Sequence, residues 1–188
     1  MIEPQAGSGR WWLGFLLIVA VGLAAVVVWR RQPVAPLPSL ELDPLTGASE
    51  PVTLADLKGK VALVNFWGTW CPPCRDEFPH IVELDRHYRA RSGFRLLAVS
   101  SDGGSDNDVE ALRETTSEFL KQHDATDLPT YVDRGGRTRA AISAAIGFRG
   151  YPTTLVLDRT GTIRGSWVGY HPGTETAMAA LVDRLLAE

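Results

Sequence analysis

The stretch Val61–Pro79, "VALVNFWGTWCPPCRDEFP", runs a near-continuous apolar segment straight into a cysteine pair separated by two prolines. A run such as VALVNFW, broken by one polar residue, Asn65, suits a strand buried on both faces of a parallel sheet. Pro72 and Pro73 then fit the first turn of a helix, where a missing N–H costs little. Phe78, Ile81, Val82, Leu84 and Tyr88 continue that helix at helical spacing, and Pro79 inside it predicts a kink. Cys71 is thereby placed at the mouth of a helix that follows a buried strand.

Cys71 and Cys74 are the only cysteines among 188 residues. A disulfide-stapled secreted domain needs more bridges, and a closed zinc site needs four ligands in regular spacing. His80, His87, His123 and His171 form no tight pair, and their distance from the cysteines misses zinc-finger spacing. A lone Cys-x-x-Cys in an alternating β/α chain points instead to a redox dithiol. The free N–H groups and the positive end of the helix dipole favour a thiolate at Cys71. Residues three apart on a helical turn have Cβ atoms roughly 5–6 Å apart, which modest adjustment brings into disulfide range. Cys71 is expected to be the more exposed, attacking thiol, and Cys74, one turn inside, the resolving thiol that breaks a mixed disulfide. The plain alternative is a pair of inert buried thiols, against which the two prolines and the preceding Trp70 are poor core-filling choices.

Outward from this segment the alternation continues. "FRLLAVS" predicts a second buried strand, and "DVEALRETTSEFLKQH" a helix with apolar Val109, Leu112, Phe119 and Leu120. "LPTYVD" predicts a short strand and "TRAAISAAIG" a small helix. "TTLVLD" and "IRGSWVG" predict a hairpin across Arg159 to Thr162, and "TETAMAALVDRLLA" a closing amphipathic helix. On the N-terminal side, "LELDPLTGASEPVTLADLKGK" predicts a β-hairpin around a turn rich in Pro, Gly and Ser. The sum is an α/β sandwich with a mixed central sheet, spanning residues 39–188.

Before it, Pro33, Pro36 and Pro38 of "QPVAPLPSL" favour an extended, semi-rigid spacer over residues 30–38. Preceding that, and following a tail at residues 1–10, Trp11 to Trp29 carries no charge. As a helix it would span about 28 Å at ~1.5 Å per residue, close to a bilayer core. Trp11, Trp12 and Trp29 sit where an aromatic belt belongs, with Arg10, Arg30 and Arg31 just outside. A cleaved signal peptide is the alternative, with Gly22-Leu23-Ala24 as its small-residue site, but the apolar run continues past it through Val28 and favours an uncleaved anchor. One arginine before the span against two after it would by charge alone turn the C-terminal domain toward the cytoplasm. With 45% hydrophobic and 22% charged residues, a net charge of −3 and no basic run beyond Arg30-Arg31, the chain has ordinary globular composition and no footprint for nucleic acid.

The segments "NFWGTWCPPCRDEFP" and "GYPTTLVLDRTGTI", with the anchor and spacer, resemble the thioredoxin superfamily and, within it, the TlpA/ResA/CcmG group of membrane-anchored thiol-disulfide oxidoreductases. The resemblance implies a thioredoxin-like fold in which Cys71 is the nucleophile and Cys74 the resolving thiol. It makes Pro152 a cis proline that sets the Tyr151 backbone beside the dithiol, where it pairs with an extended substrate segment. Trp70, Pro72 and Pro73 would complete the substrate contact surface, with Trp67 either walling the site or filling the core, as Phe66 does. Where thioredoxin has a buried aspartate this chain has Asn65, and the resemblance moves proton transfer to Glu77, three residues after Cys74; the bland reading of Glu77 is a complement to the helix start.

The implied activity is reduction of disulfides in proteins outside the cytoplasm, at the inner membrane of a bacterium with the domain in the periplasm or cell exterior. Apocytochrome c and copper-site assembly proteins are the implied substrates, a membrane thiol carrier the electron donor, and no cofactor beyond the dithiol is needed. Two rivals stand beside it. A Sco-like copper chaperone would use Cys71, Cys74 and His171, although such proteins space their cysteines by three residues. A peroxiredoxin-type peroxidase would need a Thr-x-x-Cys signature, whereas Thr69 lies two before Cys71 and five before Cys74.

Overall fold

The computed structural model describes residues 35–188, so the apolar segment 11–29 and the first residues of the spacer lie outside the described residues. Chain order runs β1 (Ala35–Pro36), β2 (Glu41–Thr46), β3 (Val52–Thr53), β4 (Val61–Trp67), α1 (Pro72–Tyr88), β5 (Phe94–Ser100), α2 (Val109–Gln122), β6 (Thr130–Val132), α3 (Arg137–Ile146), β7 (Thr153–Leu157), β8 (Thr162–Val168) and α4 (Thr174–Ala187). Among the described residues no helix is long and apolar enough to cross a membrane.

β4 is buried at every position, as its apolar run requires, because it lies in the middle of the sheet with helices on both sides. Among the described residues the sheet has eight strands in the order β1-β8-β7-β4-β5-β6-β2-β3. β4, β5 and β6 pair in parallel, while β7, β8 and β2 add antiparallel flanks, which makes the sheet mixed. The N-terminal hairpin is present as β2 and β3, with Glu41 opposite Thr53 and Leu42 opposite Val52.

The pleat of β4 divides the core in two. Val61, Leu63 and Trp67 join Phe78, Ile81 and Val82 of α1 and Met178, Leu181 and Val182 of α4 on one face. Ala62, Val64 and Phe66 join Leu40, Leu42 and Ile142 on the other. Each such side chain removed from water contributes roughly 1.5–3 kcal/mol, so two packed faces hold β4 far more firmly than the loops at its end. α1 remains one helix through Pro79, which interrupts the hydrogen-bond ladder without ending the element.

The fold begins earlier than Ser39. Ala35 and Pro36 pair antiparallel with Ile163 and Thr162 at the edge of the sheet, and Leu37 is buried against the second core face. Proline is tolerated there because an edge strand can leave one N–H unused. The proline pattern hides this pairing, since Leu37 alone carries the apolar signal that anchors the segment.

Candidate active site

Cys71 is the N-cap of α1, with φ −94° and ψ 109°, and Pro72 and Pro73 fill the first helical positions. Cys71 and Cys74 form a disulfide across a Cα–Cα distance of 5.2 Å. The Cys74 N–H points at Cys71 Sγ from 3.3 Å, so a first-turn donor faces the sulfur that would carry the thiolate charge in the reduced state. The expected difference in exposure is slight: Cys71 is 3% and Cys74 1% exposed, because both sit in the core face that holds Trp67 and Phe78.

Behind the disulfide lies a buried polar triad. The Asn65 amide donates to Glu77 Oε2 and to Thr154 Oγ1, each at 2.8 Å, and the Thr154 hydroxyl donates to Glu77 Oε1 at 3.4 Å. Asn65 and Thr154 face each other in the β4–β7 register, and Glu77 is one helical turn after Cys74. Burial pushes the Glu77 carboxyl up to about 7, while the bonds from Asn65 and Thr154 pull it down and the charge of Glu175 adds to the rise. Asn65 therefore serves as the donor that holds an acid supplied by the helix. Thr154 went unmarked in the sequence; its alternation relative to Pro152 was the available signal.

The peptide bond between Tyr151 and Pro152 is cis. Trp70, half exposed at 50%, meets the Tyr151 ring edge-on at 5.4 Å and donates its indole N–H to the Ser101 carbonyl at 2.9 Å. The ring is seated against glycines: a Cβ at Gly68 would stand 2.5 Å from Trp70 Nε1, and one at Gly103 2.9 Å from Trp70 Cζ2. Trp67 instead fills the core against Phe78 and Phe119, with ring centroids 4.8 and 5.3 Å away, and Phe66 packs on Phe148 on the opposite face. Trp70 thus stands half exposed against Tyr151, while Trp67 lies in the core.

A further cluster, absent from the sequence reading, adjoins Tyr151. The Arg139 guanidinium donates to Tyr151 Oη at 2.5 Å, Asp106 Oδ2 at 2.7 Å, Asp133 Oδ2 at 3.0 Å and the Gly104 carbonyl at 3.0 Å. Ser101 Oγ donates to Asp106 Oδ1 at 2.9 Å and lies 2.8 Å from Tyr151 Oη. Burial pushes Asp106 up to about 6, with the hydrogen bond to Asp102 adding to the rise, and that same bond holds Asp102 below the usual carboxylate range. These residues are scattered from Ser101 to Tyr151, so no motif announces them. His171 is exposed in the loop before α4, His80 stacks on Tyr170 at 5.6 Å, and among the described residues no three His, Cys, Asp or Glu are grouped to hold a metal ion.

Comparisons with known proteins agree with this geometry. The AhpC/TSA family matches residues 34–166. The chain is 32% identical over 168 residues to the thioredoxin-like protein YneN of Bacillus subtilis, covering 85% of this chain and 90% of that protein. It is 32% identical over 164 residues to the thiol:disulfide interchange protein DsbE of Pseudomonas aeruginosa, covering 84% of this chain and 81% of the relative. A crystal structure from Chlorobium tepidum ascribed to a thiol:disulfide interchange protein DsbE superposes with a TM-score of 0.65 at 27% identity, covering 82% of this chain and 98% of that one.

Proposed function

The chain belongs to the AhpC/TSA family and is a thioredoxin-like thiol-disulfide oxidoreductase, and from that premise we propose that it is a membrane-tethered reductase of protein disulfides outside the cytoplasm. One observation carries the reading: the Cys71–Cys74 disulfide caps α1 with the half-exposed Trp70 beside it and the buried acid Glu77 one turn behind.

In the reduced protein the Cys71 thiolate attacks a sulfur of the partner's disulfide. That S–S bond breaks, a mixed disulfide forms, and the departing partner sulfur takes up a proton. Glu77 accepts the proton of Cys74, whose thiolate then attacks Cys71 Sγ and closes the Cys71–Cys74 bond; the second partner sulfur leaves, takes up the proton held by Glu77, and the partner departs as a dithiol. Two electrons have passed to the partner, and a membrane thiol carrier restores the enzyme by the reverse exchange. The Tyr151 backbone, held by the cis peptide at Pro152, pairs with an extended partner segment while Trp70, Pro72 and Pro73 form the surface it lies on. The substrate class follows from the resemblance to the TlpA/ResA/CcmG group: apocytochrome c or copper-site assembly proteins. Residues 11–29 supply the tether in a bacterial inner membrane, and the domain, residues 39–188 with the strand at 35–36 added, faces the periplasm or cell exterior.

Substitution at the resolving thiol tests this. Cells carrying Cys74→Ser are expected to accumulate covalent, reductant-sensitive adducts that vanish in Cys71→Ser/Cys74→Ser, and mass spectrometry of the adducts names the partners. Absence of adducts under an alkylating quench, together with rapid peroxide turnover or tight Cu(I) binding by the purified protein, would replace the reductase with one of its rivals.

A further inference from the structure

Arg139 gathers three separate segments onto one planar group. Asp133 follows β6, the run Ser101–Asp106 follows β5, and Tyr151 precedes β7. The guanidinium bonds to all three, and its side chain is only 12% exposed while those of Asp106 and Asp133 are 0% and 1% exposed. Stability alone gives little reason for such a cluster, because a buried ion pair gains little over well-packed apolar groups of the same volume. What distinguishes this cluster is what its ends touch. The Ser101 carbonyl receives the Trp70 indole N–H, and Tyr151, whose hydroxyl accepts from Arg139, packs against the Trp70 ring and opens the cis peptide. The segment itself is held in shape by the same carboxylate, since Asp106 Oδ1 also accepts the Asp102 N–H at 2.8 Å and Asp106 adopts a left-handed φ of 57°.

We infer that Arg139 is a positioning residue that fixes both walls of the substrate groove, Trp70 and the Tyr151–Pro152 turn, relative to the dithiol. It touches no reacting atom. The inference rests on the reductase reading for its consequence, which is that extended protein substrates need the walls set in advance whereas a small thiol reagent does not. A lysine cannot replace it: an ammonium is a compact point charge, and the span from Tyr151 Oη to Asp106 and Asp133 is bridged here by the width of the planar fork.

The test uses full-length protein purified in detergent. Arg139→Lys is expected to raise KM for insulin disulfides at least fivefold, with kcat and the rate at which dithiothreitol reduces Cys71–Cys74 within twofold of the parent. Tyr151→Phe, which removes one bond of the fork and keeps the ring, is expected to raise KM in the same direction. Exchange of the Trp70 indole proton, followed by NMR, is expected to quicken at least tenfold in Arg139→Lys. Should that variant fold poorly, Arg139→Gln/Asp106→Asn removes one charge of each sign and is expected to behave alike. Folded variants with parental KM and parental indole exchange overturn the inference, as does a fall in kcat alone or in the dithiothreitol rate. A parent protein that reduces no insulin sinks the reductase reading by itself, and the indole exchange then decides whether Arg139 positions the walls.

Discussion

Glu77 shows how one residue can be expensive and still belong. Its carboxyl is raised from 4.5 to about 7, chiefly by burial. Between those values the unfolded chain has lost the proton that the folded protein keeps, so stability falls as pH rises through this window and stays at its lower plateau above it. The full penalty is about 3 kcal/mol at 1.36 kcal/mol per pKa unit. Glu77→Gln keeps an acceptor for the Asn65 amide and cannot ionise. Urea unfolding is expected to find it more stable than the parent at pH 8 by up to about 3 kcal/mol and nearly equal at pH 5. Disulfide reduction by the parent is expected to show an inflection near pH 7, and by the variant to lack it. A rate profile identical to the parent's across pH 5 to 9 would reduce Glu77 to a packing residue. It was the resemblance to the thioredoxin superfamily that pointed to this acid, through Asn65 in place of the family's aspartate and a glutamate three residues after Cys74, both local features of the chain. Its partner Thr154 was not, since the contact crosses 77 residues of chain.

At the scale of elements, the junction between β4 and α1 carries the site, and Gly68 is its tightest point. A Cβ there would lie 2.7 Å from the Ser101 carbonyl oxygen as well as 2.5 Å from the Trp70 nitrogen, and the first of these is backbone that cannot swing away. Gly68→Ala is therefore expected to lower stability by roughly 1–3 kcal/mol as an overpacked contact, a drop of several degrees in melting temperature, and to break the Trp70–Ser101 bond. A melting temperature and a Trp70 indole resonance unchanged from the parent would show that the cradle has slack. The elements themselves were readable: VALVNFW is apolar but for Asn65 because both faces are covered, and the spacing from Phe78 to Tyr88 is helical because α1 buries one side. β1 was missed because two residues have no periodicity to read, and Arg139 because the helix "TRAAISAAIG" displays it as one more solvent-facing charge until β6 and the turn before β7 close over it.

At the scale of the whole molecule the question is compartment. Arg10 against Arg30 and Arg31 would by charge alone leave residues 35–188 in the cytoplasm. The chemistry argues the other way. A dithiol that reduces protein disulfides has substrates where disulfides form and persist, in the periplasm or at the cell surface, and cytosolic thiol systems leave it little to do. A bias of one charge is also a weak guide to direction, and the uncharged run of residues 11–29 carries no direction of its own. Fusions joined after Gln32, ahead of β1, separate the two arguments. Alkaline phosphatase, which needs its own disulfides, is expected to be active at that junction, and β-galactosidase, which works only inside, is expected to be silent. A well-expressed pair with the reverse pattern would place the dithiol in the cytoplasm and take from the reductase reading every substrate proposed for it.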